Sequence, residues 1–323
     1  MARHSSTGCD DGDTGGSGGG RRGIGRRSFV RAAATTAVGV GAIGAASGTA
    51  AAGPLKDGKG ERAEAPNDFP RVSTRDHFDD DANLINGEST WSYDVEGSWP
   101  GSWGEDTLTL LVHGWLSSDE DDQDIDGGYE LKLGLEKYGY SGDTAVFTWD
   151  SDKGDSWDYG WHDAKEIAER NGRKLANFSQ WYSRKYGVNV RWVAHSLGAR
   201  VALFGMKSLH EDYGHYKLLD SVSLVGGAVE EDDVSTDAGW WDSEYGQHIE
   251  YATQELNNFH ASDDEVLEWI YETREWDEAA GLSGGDSPLP YNYTDYDVTD
   301  VVPTHYDYLV RDYGCISEVV RRW

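Results

Sequence analysis

From Asp106 to Ala261 the chain repeats one pattern, a short apolar run followed by a longer stretch of helical or turn character. The runs are Asp106-Thr107-Leu108-Thr109-Leu110-Leu111-Val112, Thr144 to Trp149, Val188 to Ala194, Leu219 to Val225 and Leu256 to Ala261. Near-continuous apolar runs of this length suit strands covered on both faces. Between two of them, Ala164, Ile167, Ala168, Leu175, Phe178 and Tyr182 share one face of a helix from Trp161 to Tyr186, which Gly187 ends. The alternation predicts an α/β fold with a mostly parallel central sheet and helices on both faces. The segment from Phe69 to Trp103, with Asn86-Gly87 and Glu96-Gly97 as turns, predicts antiparallel strands or hairpins at one edge.

Charge narrows the partners. The chain carries 59 acidic residues against 28 basic ones, a formal net charge of -31. Nucleic acid and anionic membrane surfaces are therefore poor partners. The carboxylates are spread along the sequence, and Trp, Tyr, Val, Leu and Ile remain frequent enough to build a core, so the acidity is not that of a disordered chain. This composition resembles secreted proteins of extreme halophiles, for which concentrated salt cuts the reach of charge repulsion to about 3 Å at 1 M.

The first fifty residues differ in kind. A Gly, Ser and Asp tract precedes Arg26-Arg27-Ser28-Phe29-Val30-Arg31, and a weakly apolar Ala/Gly/Val run follows, with small residues at Ala50 and Ala52. The segment resembles a twin-arginine export signal, which implies the twin-arginine export machinery as a partner, cleavage near Ala52 and a secreted mature chain. The Ala/Gly run is too weakly hydrophobic for a spanning helix of about 20 residues, so no stable membrane insertion of the mature chain is expected. The expected organisation is a leader over residues 1–52, a segment with edge strands over 53–105, and a core over 106–323, the last two forming one domain. Cys9 precedes the export signal, leaving the mature chain with Cys315 alone and no internal disulfide. Cys315 falls in the helical stripe Cys315, Ile316, Val319, Val320 and Trp323, where it reads as a small buried hydrophobe.

The chemistry concentrates where strand gives way to helix. In Ala194-His195-Ser196-Leu197-Gly198 a serine stands between small residues at the end of an apolar run, and a helical segment follows to Leu209. Such a turn needs small neighbours because strand end and helix start come close together, and it lifts the serine hydroxyl outward. A serine at this point also suits a helix cap. Upstream, the strongest strand ends in His113-Gly114-Trp115, where backbone N–H groups can face a carbonyl oxygen. His113 and His195 are read as structural, since an oxyanion hole uses backbone donors. Downstream, Ser262-Asp263-Asp264 begins a loop that leads into a helix, with Asp264 the first candidate for a triad acid and Asp263 its rival. The alternative for both is capping or a solvated acidic surface. His305, in Val302-Pro303-Thr304-His305-Tyr306, lies on a loop before the last helical stripe and is the candidate base.

In this order the motifs resemble the α/β-hydrolase superfamily, its lipase and esterase side in particular, over roughly Asp106 to Trp323. The elbow departs from G-x-S-x-G by one methyl group, Ala194 standing for the first glycine. The resemblance implies a serine hydrolase that forms an acyl-enzyme without metal or organic cofactor. Its catalytic residues would be Ser196, Asp264 and His305, with Leu197 and Trp115 supplying the oxyanion-hole N–H groups, acting on an ester-containing small molecule or lipid. An amidase or peptidase with the same triad, or a binding protein on a hydrolase scaffold, remain alternatives.

Two further features bear on ligands. An insert near the active site lies between Gly226 and Tyr251 and carries Trp240 and Trp241, candidates to face an acyl chain and equally suited to packing the insert onto the body. Asp122-Gln123-Asp124-Ile125-Asp126-Gly127 matches the start of a calcium loop, but the twelfth position, where a bidentate Glu is needed, is Leu133. No metal is therefore assigned. The charge excess yields one prediction: lowering salt from molar to dilute buffer unfolds the protein, because screening of its carboxylates is withdrawn. A far-ultraviolet circular dichroism spectrum unchanged across that range contradicts the adaptation to high salt.

Overall fold

A computed structural model describes residues 62–99, 106–117, 123–153, 160–237, 245–275 and 278–323. The leader with its arginine pair, Trp240 and Trp241 lie outside the described residues. The described part is built around one eight-stranded sheet. Its strands are β1 (Arg71–Ser73), β2 (Asp94–Glu96), β3 (Thr107–Val112), β4 (Asp143–Thr148), β5 (Asn189–His195), β6 (Leu219–Val225), β7 (Thr253–His260) and β8 (Tyr293–Asp297). They lie in the order β2-β1-β4-β3-β5-β6-β7-β8. Every neighbouring pair is parallel except β1 with β2. The sheet and its helices give the mostly parallel α/β architecture expected from the sequence.

Alternation within the central strands sends side chains to two separate cores. Leu108, Leu110 and Val112 of β3, with Trp192 and Ala194 of β5, join the core that contains Ala164, Ile167 and Leu175. Those three belong to α2 (Trp161–Tyr186), and Val201 and Met206 of α3 (Gly198–Glu211) pack in the same core. Leu111 and Val193 point the other way, into a core shared with Leu131 and Leu135 of α1 (Gln123–Lys137) and with Ile316 and Val319 of α7 (Ile316–Arg321). Burial on both faces is why these strands read as continuous apolar runs. Cys315 caps α7 fully buried beside Ile316 and Val319, and burial pushes its thiol pKa up, as suits a structural cysteine.

Three elements differ from the sequence reading. In the Phe69 to Trp103 segment only β2 is antiparallel, because β1 continues the parallel sheet along β4, pairing Val72 with Phe147. A three-residue strand offers no period from which its direction can be read. The calcium-like motif leads into α1, with Gln123 onward helical. Asp124 is buried and receives the Arg75 guanidinium at 3.1 Å, while Asp126 accepts the Ala65 N–H at 2.7 Å. Gly128 lets α1 lie directly on the sheet, since a Cβ there would approach the Val146 Cβ to 2.8 Å. Among the described residues no cluster of three or more His, Cys, Asp or Glu side chains is arranged to hold a metal ion. The third difference is β8, a polar edge strand that the apolar criterion passed over.

Among the described residues no helix is long and apolar enough to cross a membrane. The helices between β6 and β8 are short: α4 (Gly246–Ala252), α5 (Glu265–Ile270), continued by one wider helical turn at Tyr271–Glu275, and α6 (Ala280–Ser283). The loops that follow β3, β5, β7 and β8 all leave the same end of the parallel strands, the end at which open α/β sheets gather their ligand sites.

Candidate active site

Ser196 follows β5 with φ 54°, in the left-handed backbone region that non-glycine residues seldom adopt. Holding it there costs about 1–3 kcal/mol, which the surrounding structure must offset. Three backbone hydrogen bonds do so: Ser196 N–H donates to Val225 O at 3.2 Å, and its carbonyl accepts from Ala199 and Ala228 N–H, each at 3.0 Å. The helix that follows takes Leu197 as its N-cap with no side-chain cap. Ser196 is thus not the cap of α3, and its hydroxyl is turned elsewhere.

The small neighbours are needed sterically. A Cβ at Gly198 would stand 2.3 Å from the carbonyl oxygen of Val112, so only glycine lets α3 start this close to the end of β3. A Cβ at Gly114 would meet the Ser196 Cβ at 2.6 Å and its Oγ at 3.2 Å. The loop after β3 therefore runs against the serine, as the His-Gly-Trp motif predicts. Among the described hydrogen bonds, neither the Leu197 N–H nor the Trp115 N–H donates to a protein acceptor.

His113 secures that loop. It is buried, and desolvation together with the Arg75 charge holds its imidazole well below the usual range, so the ring is neutral. Its Nε2 accepts the Trp149 N–H at 3.1 Å, its Nδ1 donates to Gly114 O at 3.0 Å, and the Trp149 indole donates to His113 O at 2.9 Å. The stacked Trp149 ring backs it. This is the structural role expected for His113, with Trp149 as a partner that its place in β4's apolar run did not reveal.

His305 stands over the serine. Its Nε2 lies 2.9 Å from Ser196 Oγ and its Nδ1 lies 2.7 Å from Asp264 Oδ2. All three side chains are buried, Ser196 retaining 5% exposure. His195 also serves this contact: burial first, then the neighbouring His305 and Arg62, lower its pKa to about 3, leaving a neutral ring. Its Nε2 donates to His305 O at 2.8 Å, tying the His305 backbone to the elbow strand.

Asp264 follows β7 and does two jobs. Its Oδ1 accepts the Val266 and Leu267 N–H groups at 3.2 and 3.1 Å, capping α5, while Oδ2 faces His305. Burial alone would raise its pKa, but His305 and the Leu267 N–H outweigh that and hold the carboxyl below its ordinary value. Asp263 is exposed, whereas Asp264 is buried and is the one of the two with a described hydrogen bond to His305. Tyr308, a residue the sequence did not single out, also reaches Oδ2, its hydroxyl 3.4 Å away. Of the expected site residues the structure thus brings together Ser196, Asp264 and His305; Leu197 directly follows the serine, and Gly114, the residue before Trp115, runs against it, while the Trp115 ring packs on Trp161.

The two functions of Asp264 separate by mutation. Asp264→Asn keeps an acceptor for the cap and loses the charge, whereas Asp264→Ala loses both. The alanine variant is expected to be less stable than the asparagine variant by about 1 kcal/mol in urea unfolding, the usual worth of such a cap. Because the folded carboxyl titrates below its unfolded value, its charge stabilises the protein above that value. The stability advantage of wild type over Asp264→Asn should therefore shrink as pH falls below the ordinary aspartate value of 3.8. Equal stability of the two variants would remove the capping role.

Several solved structures are similar to the chain in fold. Aspergillus fumigatus lipase B aligns with a TM-score of 0.41 at 12% identity, over 65% of this chain and 52% of the lipase, so the chain spans about half that protein's length. The Pyrococcus furiosus esterase Pf2001 aligns with a TM-score of 0.38 at 13% identity, over 68% of this chain and 84% of the esterase. The mature Bacillus licheniformis lipase BlEst2 aligns with a TM-score of 0.37 at 14% identity, over 64% of this chain and 87% of the lipase. No curated protein matches the sequence. Residues 151–320, more than half of the chain and including Ser196, Asp264 and His305, match the family model described as "Protein of unknown function (DUF726)". The chain belongs to the DUF726 family.

Proposed function

We propose that the protein is a serine hydrolase that cleaves carboxylic esters through an acyl-enzyme. The observation that carries this reading is the unbroken chain from Ser196 Oγ to His305 Nε2 at 2.9 Å and from His305 Nδ1 to Asp264 Oδ2 at 2.7 Å. In the proposed reaction His305 takes the Ser196 proton as Oγ attacks the ester carbonyl, and Asp264 keeps the imidazole in the tautomer that presents Nε2 to the serine. The negative charge that develops on the carbonyl oxygen falls to the Leu197 and Trp115 N–H groups. His305 then gives its proton to the departing alkoxide, leaving an acyl group on Ser196. Water, activated by the same imidazole, releases the acid and restores the serine.

The ester assignment rests on the elbow motif's likeness to the lipase and esterase side of the superfamily. The leader is proposed to direct export by the twin-arginine route, supported by Arg26-Arg27-Ser28-Phe29-Val30 and the weakly apolar run that follows. In molar salt, Ser196→Ala is expected to lower kcat on a p-nitrophenyl ester by roughly 10³-fold or more, with circular dichroism unchanged. Turnover retained in that variant overturns the assignment. Matched ester and amide substrates of one acyl group decide the class, and faster amide turnover would replace the ester reading with an amidase.

A further inference from the structure

Tyr308 is held from three directions. Its ring, fully buried, lies against Gly226 at the end of β6, where φ is 55° and a Cβ would stand 2.6 Å from the ring's Cε2. Its carbonyl accepts the Cys315 N–H at 2.9 Å, fastening the loop to the start of α7. Its hydroxyl reaches Asp264 Oδ2 at 3.4 Å.

The carboxylate it meets is otherwise fully used. An ionised carboxylate offers about four lone-pair sites. The Val266 and Leu267 N–H groups engage two on Oδ1, His305 Nδ1 one on Oδ2, and the Tyr308 hydroxyl the remaining one. We propose that Tyr308 is a positioning residue for the triad: its hydroxyl fixes the orientation of Asp264 Oδ2 and draws charge from the oxygen that holds His305. This inference rests on the hydrolase reading of the site. Burial, then the Asp264 charge, raise the phenol pKa well above its ordinary value, so the hydroxyl keeps its proton and acts toward the carboxylate as a donor. The other titratable groups facing this pair are His195, from the elbow strand, the buried Cys315 at the start of α7, and the exposed Asp263.

Withdrawing the donor has an effect of definite sign. Oδ2 becomes a stronger acceptor for His305 Nδ1, while Asp264 loses one of the bonds that orient it. Tyr308→Phe keeps the ring against Gly226 and removes the hydroxyl alone. In that variant the His305 Nδ1 proton resonance is expected to move downfield, and the acidic limb of the kcat/KM profile to move to higher pH. On an ester substrate kcat is expected to fall about 2- to 10-fold at unchanged KM, the range of one modest hydrogen bond. Site-specific 3-fluorotyrosine at 308, a stronger donor of nearly the same shape, should move the resonance and the limb in the opposite direction, and it decides the matter should the phenylalanine variant fold poorly.

A folded Tyr308→Phe protein with an unmoved His305 resonance overturns the proposal, whatever its activity. The same holds if both variants move the resonance in the same direction. The resonance is read without turnover, which separates this inference from the one beneath it. Opposite shifts in a protein that hydrolyses no ester would leave the positioning role intact and remove the hydrolase reading. Ester turnover with an unmoved resonance would do the reverse.

Discussion

The left-handed turn at Ser196 is the constraint around which the rest of the site is arranged. A residue with φ 54° can persist only if its neighbours leave no alternative. Here the carbonyl of Ser196 is held by N–H groups from both α3 and the loop after β6, and its own N–H by the end of β6. The absent side chains at Gly114 and Gly198 allow the loop after β3 and the start of α3 to close around it. Strain at the serine is thus offset by parallel strands and a helix that are themselves deeply buried.

The second organising interaction is the buried Asp264 carboxylate. A charge taken out of water is costly unless its lone pairs are met, and this one is met by a helix start, an imidazole and a phenol. Capping α5 and orienting His305 are therefore one arrangement. His195 completes it from the other side, since its bond to the carbonyl of His305 joins the His305 loop to the strand that leads into Ser196.

What could be read from the sequence follows from burial. β3 and β5 were legible because strands covered on both faces are nearly continuous in apolar residues, and α2 because its stripe is long and Gly187 ends it with φ 71°. β8, Tyr-Thr-Asp-Tyr-Asp at the sheet edge, carries too many polar residues for that criterion. α1 was hidden by its aspartates and paired glycines, whose helical state depends on close packing over β4 rather than on propensity. Ser196, Asp264 and His305 were visible because their order and their strand-loop-helix settings are local features. Choosing Asp264 over Asp263 needed the direction of each side chain at the turn. Tyr308 gave no signal, since a tyrosine in a loop has no period and its partner lies 44 residues away in the chain.

The central claim is that the elbow serine is activated by His305. It is tested most directly by exposing the folded protein, in molar salt, to a fluorophosphonate probe and locating the label by mass spectrometry. Covalent label on Ser196, lost in His305→Ala while that variant remains folded, is the result the account predicts. A folded wild-type protein that takes no label, or a label that survives removal of His305, would contradict it.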